Sequence, residues 1–479
     1  MDTSVNPPAT GSASPIRSIG GGLRAGAIDP VELLEAALAR IDAHEPTIGA
    51  FITIDRDGAR RAAEHAHAEL RAGRDHGPLH GIPIGLKDVI DTVGLPTTAG
   101  SRILADRVPT RDAVVARRLR AAGAVVVGKL ALTEFATGSA AQPAIGPTRN
   151  PWDIGRVPGG SSSGSAAAVA AGFVTSAIGT DTSGSVRGPA ALCGLVGVRP
   201  TRGRISTAGV VPLSRSLDTV GPLARSADDA GTVLAILGRW PVEVETRLLA
   251  RPDPAGVQGK VVARLVGDPW SAVDPEVATA TDDALATLER AGTRPTELVI
   301  PGLAEASAAR HVVQYSEAAA FHAAWLDTRP ADYDPSVLAL LRTGRAFSAT
   351  EVAAARRTLA AFRRSMRELM TTVDLLLCAT TAAPAWTFDE AAGPARLRGI
   401  ALTAAVTTFG LPVVSVPSGI SSGGLPLGVQ VIGSPDEEAL LLDAAAVIEA
   451  AADLPGRLPV TPVGLPWAHR PEVGGPTSV

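Results

Sequence analysis

Lysine is nearly absent from this chain of 479 residues, because only Lys87, Lys129 and Lys260 are lysines among its 44 Lys and Arg residues. Arginine keeps its proton near neutral pH, whereas a buried lysine can lose it, so a lysine retained in such a chain suggests a role for the amine. Lys87 stands in the apolar run 82–90. The sequence leaves two interpretations open for it: a neutral amine that acts as a base, or a core salt bridge to Asp88 or another acid.

Cysteine is scarce as well. Cys193 and Cys378 each stand in an apolar run, and two distant cysteines predict neither a disulfide framework nor a clustered zinc site. We therefore expect a protein of a reducing compartment, the cytoplasm.

Aromatic residues, basic charge and long apolar runs are also missing. Aromatics make up 3% of the chain and hydrophobic residues 46%, which predicts a large aliphatic core. The net charge of -4 offers no basic field for nucleic acid. The most apolar window, 166–178, is too short to cross a membrane, and residues 1–15 lack the apolar part of a secretory signal. We expect a globular protein with no nucleic-acid and no membrane partner.

Helical and strand patterns alternate along much of the chain. A helix over 112–122 precedes a strand over 124–127, and a helix over 275–291 precedes a strand over 296–300. The region 301–371 is mostly helical in pattern. This order predicts an α/β fold, while length alone fits either one large domain or two or three smaller ones.

Two glycine- and serine-rich motifs carry polar groups that could do chemistry. Residues 158–165 (PGGSSSGS) place three serines before a helical run, where a helix N-terminus favours negative charge. In residues 179–187 (GTDTSGSVR), Gly179 and Gly184 permit a tight turn whose N–H groups point one way, as an oxyanion hole requires. Taken singly, the first motif also fits an ordinary helix cap and the second an ordinary turn.

Together these motifs resemble the amidase signature family of serine hydrolases. The resemblance extends from about residue 28 to 455 and rests mainly on 85–88 (GLKD), 159–168 (GGSSSGSAAA), 179–187 (GTDTSGSVR) and 193–201 (CGLVGVRPT). It implies a single large α/β/α domain over 1–479, with a central mixed sheet of about ten strands covered by helices. The signature core would span about 75–235, and the helical region 301–371 would shape the pocket.

The resemblance also implies which residues act. Ser185 would attack the amide carbon, and neutral Lys87 would serve as the base through Ser161, which would follow a cis peptide bond. Ser183 departs from the pattern, because many members carry glycine there. The other implied site residues are the oxyanion-hole residues Thr182, Ser183 and Gly184, with the N–H of Ser185, the acyl-facing residues Thr137, Gly138 and Ser139, and the supporting residues Asp181, Arg187 and Ser163.

For substrate and partners, the resemblance implies a small-molecule amide and water, no metal or organic cofactor, and a monomer or homodimer. Few charges stand beside the motifs, so we expect a neutral or apolar aryl or alkyl acylamide, with carbamates and urethanes open. Residues 204–213 (RISTAGVVPL) look closer to free-standing amidases. The alternative within the family is the glutamine-hydrolysing A subunit of a tRNA-dependent amidotransferase, with tRNA and protein partners.

Other motif matches are weaker. Residues 160–164 fit G-x-S-x-G with Ser162 as nucleophile, but an α/β-hydrolase elbow needs a strand running into it, and 150–160 has the composition of a loop. Residues 123–130 fail as a P-loop at Leu130, where Ser or Thr is required. The paired histidines at 65 and 67 and at 76 and 80 are expected in exposed helix and loop positions rather than as metal ligands. A non-catalytic scaffold is disfavoured because all three implied catalytic positions are filled.

Overall fold

The fold is known from a computed structural model, which describes residues 14–140, 146–393, 395–452 and 454, and no side chains for 395–398. Within these residues, eleven strands form one sheet. They are β1 Phe51–Ile54, β2 Pro83–Lys87, β3 Val125–Leu130, β4 Ser176–Asp181, β5 Val196–Arg199, β6 Thr219–Ala224, β7 Val261–Leu265, β8 Arg294–Leu298, β9 Leu375–Ala379, β10 Val413–Ile420 and β11 Pro426–Ile432.

Helices cover the sheet. In the described residues they are α1 Pro15–Arg24, α2 Pro30–Ile48, α3 Arg56–Arg71, α4 Val114–Ala121, α5 Ser163–Ala170, α6 Arg187–Leu192, α7 Ala227–Leu237, α8 Val242–Leu249, α9 Pro275–Arg290, α10 Leu303–Thr328, α11 Pro335–Ala346, α12 Ala349–Leu369, α13 Phe388–Ala392, α14 Ala395–Phe409 and α15 Glu438–Ala451. No helix of the described residues is long and apolar enough to cross a membrane.

The sheet is mixed, in the order β1-β3-β2-β4-β6-β5-β10-β11-β9-β7-β8. Strand β2 runs parallel to both of its neighbours, with Leu86 opposite Lys129 of β3 and Ile178 of β4. Every residue of β2, β3 and β4 is buried, as expected for parallel strands covered on both faces. Because the carboxyl ends of parallel strands meet at one edge, Lys87 and Asp181 end their strands at the same edge of the sheet.

Helix α5 lies close to this part of the sheet because its side chains are small. Its sequence is SGSAAAVA, all eight residues are buried, and it packs on β2, β3, β4 and β6. A Cβ at Gly164 would lie 2.2 Å from the carbonyl oxygen of Ala50, so only glycine fits there. The helix therefore delivers the serine-rich motif directly to the strand ends.

The region 301–371 is built mainly from three helices, α10, α11 and α12, of which α10 packs on both others and on α14. Helix α12 begins with a capping box in which Ser348 and Glu351 satisfy each other's backbone N–H groups. That this region shapes the substrate pocket stays a prediction.

The structure confirms the predicted fold class: one α/β domain with a large mixed sheet covered by helices. Several predicted boundaries shift. The helix predicted over 112–122 spans Val114–Ala121, and the strand predicted over 124–127 spans Val125–Leu130. The apolar run 82–90 leaves the sheet after Lys87, where the N–H of Ile90 donates to the Lys87 carbonyl. The outer parts of the predicted 1–479 domain, 1–13 and 455–479, lie outside the described residues, and the 75–235 core stays a prediction.

Candidate active site

Lys87 is fully buried and contacts hydroxyl groups. Its Nζ donates to Ser161 Oγ at 2.8 Å and to Thr180 Oγ1 at 2.8 Å. Burial lowers the pKa of the Lys87 amine to about 7, and the more distant Asp218 and Asp181 only partly oppose this shift. A substantial fraction of the amine is therefore neutral near pH 7 and able to accept a proton.

The salt-bridge interpretation of Lys87 does not match the geometry. Asp88 pairs instead with Lys129, with 2.8 Å between Nζ and Oδ1, and both side chains are buried. The other oxygen of Asp88 accepts hydrogen bonds from the N–H and hydroxyl of Thr98. The two lysines thus differ in kind, since Lys129 neutralises a buried carboxylate while Lys87 has hydroxyl partners.

Ser161 stands in the loop before α5, and the peptide bond between Gly160 and Ser161 is cis. The Ser161 carbonyl accepts the N–H of Thr133 at 3.2 Å, and the N–H of Ser162 donates to the carbonyl of Ser185 at 3.3 Å. These contacts hold the serine motif against the turn that carries Ser185. The structure thus brings Lys87, Ser161 and Ser185 into one neighbourhood.

The turn over 182–185 leads from β4 into α6. Gly184 has φ of 121°, and a Cβ there would lie 2.0 Å from Thr403 Oγ1, so the turn requires glycine at this position. The hydroxyl of half-buried Ser185 has no hydrogen-bond partner among the described residues. It is therefore free to meet a substrate.

The predicted oxyanion donors are not equally available. The N–H of Gly184 donates to Asp181 Oδ1 at 2.9 Å. In the part of the chain that the structure describes, the N–H groups of Thr182, Ser183 and Ser185 have no acceptor. Three backbone donors thus remain for a developing negative charge, and Gly184 acts in this structure by shaping the turn.

Asp181 and Arg187 brace the turn from behind. The Asp181 carboxylate accepts from the N–H of Val186 and from the guanidinium groups of Arg187 and Arg199. Arg187 also donates to Gln430 Oε1 at 2.5 Å. The two arginines hold the pKa of Asp181 far below its usual value although burial opposes them.

Replacing Asp181 with asparagine is expected to destabilise the fold by about 3–5 kcal/mol, because it leaves Arg187 and Arg199 buried without a counter-charge. The lowered folded-state pKa of Asp181 makes its contribution complete above the unfolded pKa and loses it as pH falls below about 4. Urea unfolding at pH 7 and pH 3.5 should show a difference that shrinks at the lower pH. Asp153→Asn, at an exposed pair with Arg156, is the matched control, and an equal loss there would contradict this account.

Side chains of the turn meet groups that the motifs did not identify. Thr182 Oγ1 donates to Asp218 Oδ1 at 2.6 Å, and burial raises the pKa of Asp218 to about 6. Ser183 Oγ donates to Gln314 Oε1 at 2.7 Å and accepts from Arg310 Nη1 at 2.9 Å. Asp218 stands in the short segment 216–218 (SLD), which also resembles the family, so its position was a usable signal.

Thr180, the second hydroxyl on Lys87, was also missed, although it stands inside the 179–187 motif. Arg310 and Gln314 lie on α10, and Thr403 on α14, far along the chain from the turn that they contact. No local pattern marks these three residues.

The predicted acyl-facing segment lies between the serine motif and the helical region. Thr137 Oγ1 is 3.4 Å from Tyr315 Oη of α10, and a Cβ at Gly138 would lie 2.8 Å from Val337 Cγ2 of α11. Ser139 follows and is half-buried, while Ser163 is buried at the start of α5. The roles of Thr137, Gly138, Ser139 and Ser163 stay predictions.

A cluster of histidines lies close to the first residue of β2. His65 and His76 are exposed as expected, but the expectation of an exposed position is wrong for His80, which is buried. Glu69 Oε2 is 3.0 Å from His76 Nε2, 3.4 Å from His80 Nε2 and 3.5 Å from His65 Nε2, and His80 is buried. The ligand atoms of Glu69, His76 and His80 lie close enough together to hold a divalent transition metal. However, His80 Nδ1 accepts the N–H of His76, which puts the proton of a neutral imidazole on Nε2, next to Glu69. His80 Nε2 lies 3.4 Å from Glu69 Oε2 but forms no hydrogen bond among the described residues.

Known proteins resemble the chain over most of its length. The A subunit of glutamyl-tRNA(Gln) amidotransferase from Chloroflexus aurantiacus is 41% identical over 452 residues, covering 88% of this chain and 93% of the relative. Among solved structures, the peptide amidase of Stenotrophomonas maltophilia has a TM-score of 0.81 at 31% identity, covering 94% of this chain and 98% of that one. The A subunit of glutamyl-tRNA(Gln) amidotransferase from Thermotoga maritima has a TM-score of 0.74 at 32% identity, covering 88% and 92%.

These relatives overturn the expectation of a free-standing amidase for a neutral or apolar amide, with no nucleic acid and no protein partner. That expectation rested on the sequence of the segment 204–213 and on the few charges beside the motifs, and the structure weakens both arguments. In the segment 204–213, Arg204 pairs with Asp436 and Val210 bridges to Ile90, so its residues reflect local packing rather than substrate. The expectation of an apolar substrate rested on the few charges beside the motifs in sequence, but Arg310 of α10 contacts the turn.

A sequence model of the Amidase family matches residues 32–442, most of the chain. The relatives and the family together make the chain an enzyme of amide C–N bonds. The chain belongs to the amidase family, the amidase signature enzymes.

Proposed function

We propose that the chain is the glutamine-hydrolysing A subunit of a tRNA-dependent amidotransferase. The observation that carries the proposal is its identity of 41% with the A subunit of a glutamyl-tRNA(Gln) amidotransferase, over 93% of that relative. Its partners would then be the other subunits of the enzyme and glutamyl-tRNA(Gln), in the cytoplasm. Ammonia released from glutamine would be passed on within the complex.

The hydrogen bond between Lys87 and Ser161 supports a serine mechanism based on Lys87, Ser161 and Ser185. Lys87 Nζ, neutral in part near pH 7, accepts the proton of Ser161, with which it already shares a 2.8 Å hydrogen bond. Ser161 takes the proton of Ser185, whose Oγ attacks the side-chain amide carbon of glutamine. Collapse of the tetrahedral adduct breaks the C–N bond, leaving a γ-glutamyl ester on Ser185.

Protons then return along the same route. Ser161 passes a proton to the leaving nitrogen, which departs as ammonia, and Lys87 restores the proton of Ser161. Water, deprotonated through Ser161 and Lys87, hydrolyses the ester to give glutamate and free Ser185. The N–H groups of Thr182, Ser183 and Ser185 are the donors best placed to stabilise the oxyanion, each lost donor costing about 3–4 kcal/mol.

The test is to measure ammonia release from glutamine by the chain alone and by the chain with the subunits that co-purify with it from its own source, with and without glutamyl-tRNA(Gln). We expect glutamine hydrolysis and, in the complex, formation of glutaminyl-tRNA. Ser185→Ala in the same complex is the control for contaminating glutaminases. Efficient hydrolysis of simple amides by the chain alone, with no bound subunits and no preference for glutamine, would overturn the proposal.

A further inference from the structure

Arg310 is a buried cation with no acid beside it. It stands on α10 and is 8% exposed. Its Nη1 donates to Ser183 Oγ at 2.9 Å and to Gln314 Oε1 at 2.5 Å, both neutral acceptors. Among the described residues its Nε is buried without any acceptor, and no carboxylate forms an ion pair with the guanidinium.

This arrangement is costly without a ligand. A buried charge is normally retained only where it is paired, because the hydration it loses is worth several kcal/mol. Burial lowers the pKa of the Arg310 guanidinium, and Tyr315 opposes this only in part. Arginine nevertheless keeps its proton near neutral pH, so the group remains a cation that lacks an anion.

The neighbours of Arg310 do not supply the missing charge. Burial and the nearby Arg310 both lower the pKa of His311, which therefore stays neutral near pH 7. Arg363 is a further cation close enough that Arg310 contributes to lowering its pKa. The local field is positive, so an incoming anion would be attracted.

Arg310 also lies where a substrate would bind. It contacts Ser183, two residues before Ser185, and both serines are half-buried, at the surface of the turn. Thr403 Oγ1 donates to the Ser183 carbonyl from the other side, which fixes the residue that Arg310 contacts. The guanidinium is thus held on the side chain of a residue two positions before Ser185, with Gln314 fixing its orientation.

We propose that Arg310 forms a carboxylate-binding subsite, so that the enzyme selects amides that carry an anionic group at the far end of the acyl chain. This rests on the proposed function in one respect: glutamine carries its α-carboxylate three carbons from the side-chain amide carbon. The planar guanidinium matches a carboxylate with paired donors, and Nε, which has no acceptor in the protein, would be one of them. Arg310 would fix the substrate end that does not react.

The test compares two amides that differ only in this group: glutaramate, with a carboxylate, and pentanamide, with a methyl group in its place. For the wild type we expect a kcat/KM ratio of roughly 10 to 100 in favour of glutaramate, the range for a hydrogen-bonded charge. In Arg310→Gln this ratio should fall close to unity, and Arg310→Lys should retain part of it. The ratio is insensitive to a general loss of activity, which any disturbance of Ser183 would cause.

Binding provides a readout that does not need turnover. Titration calorimetry with glutarate should detect binding to Ser185→Ala and lose it in Ser185→Ala with Arg310→Gln. Ser185→Ala with Arg345→Gln, which removes an exposed arginine paired with Asp327, is the matched control and should bind like Ser185→Ala. Thermal melting of each variant identifies one that fails to fold, and Arg310→Lys keeps the test valid in that event.

Two results would overturn the subsite: a wild type that does not prefer glutaramate, or an Arg310→Gln variant that loses activity on both amides by one factor. A different set of results would contradict the proposed function while leaving the subsite in place. Glutaramate would then be preferred to pentanamide through Arg310, while glutamine was hydrolysed no faster than glutaramate and no partner protein was bound. Glutamine hydrolysis with an unchanged ratio in Arg310→Gln would refute the subsite alone.

Discussion

Replacing Ser185 with alanine is expected to lower kcat for amide hydrolysis by about 10⁴-fold or more, because the acyl-enzyme can no longer form. The Ser185 hydroxyl has no partner among the described residues, so the variant should fold with unchanged stability. Steady-state ammonia release measures kcat. Mass spectrometry should detect the trapped acyl-enzyme in the wild type and not in the variant.

Ser165→Ala is the matched control for Ser185→Ala. Ser165 belongs to the serine-rich motif 158–165, is fully buried, and its Oγ has no hydrogen-bond partner among the described residues. Its loss should leave kcat within a few-fold of the wild type. Activity that survives in Ser185→Ala would place the nucleophile elsewhere and remove the basis of the proposed mechanism.

Replacing Lys87 with methionine is expected to lower kcat by about 10³-fold or more and to stabilise the fold at the same time. The activity falls because Ser161 loses its base. The stability rises because the folded-state pKa is about 7 against 10.5 for a free lysine, so at pH 7 or below the protonated amine costs the folded state about 2–5 kcal/mol.

The sign of the pH dependence of stability distinguishes the cost of protonating Lys87 from other effects of the substitution. Between pH 7 and about 10 the unfolded wild type binds more protons than the folded one, so its stability rises with pH and the advantage of the variant shrinks. The wild-type rate should rise with pH through a midpoint near 7, since only the neutral amine accepts a proton. Chemical unfolding at pH 6 and pH 9 and a pH–rate profile test these two points.

Lys129→Met is the informative comparison. It removes an equally buried lysine, but one paired with Asp88, so it should destabilise the fold by about 3–5 kcal/mol where Lys87→Met stabilises it. A Lys87→Met variant that is destabilised to the same extent would mean that Lys87 is a structural cation, and a rate that peaks near pH 5 would exclude it as the base.

The residues of the proposed mechanism could be identified from sequence because they lie in short motifs. Ser161 and Ser185 stand in runs of glycine and small residues that indicate a turn, and Lys87 stands in the apolar run 82–90. The α/β class followed from the alternation of helical and strand patterns. For the site, each motif alone also fitted a salt bridge, a helix cap or an ordinary turn, so the roles predicted for the three residues came from the combined resemblance to the family.

What sequence could not supply depends on contacts between distant segments. Arg310 reaches Ser183 across 127 residues, so the charge beside the site was invisible and the apolar substrate was wrongly expected. The Gly184 N–H donates to Asp181, and this hydrogen bond depends on the position of the turn relative to the sheet, which the sequence does not give. Strands β5 and β6 were also missed, because four to six residues rich in Gly, Val and Ala give no clear alternation.

The sheet order has a consequence for how the protein is made. Strand β5 pairs with β10, with Arg199 opposite Val413, and Arg187 behind the turn donates to Gln430, 243 residues further along the chain. The turn that carries Ser185 is therefore synthesised long before the strand that braces it leaves the ribosome. At typical translation speeds of about 5–20 residues per second, this interval lasts about 10 to 50 seconds. In a nascent chain that has not reached β10 and β11, β5 is an open sheet edge and Arg187 lacks Gln430, so activity should appear only late in synthesis.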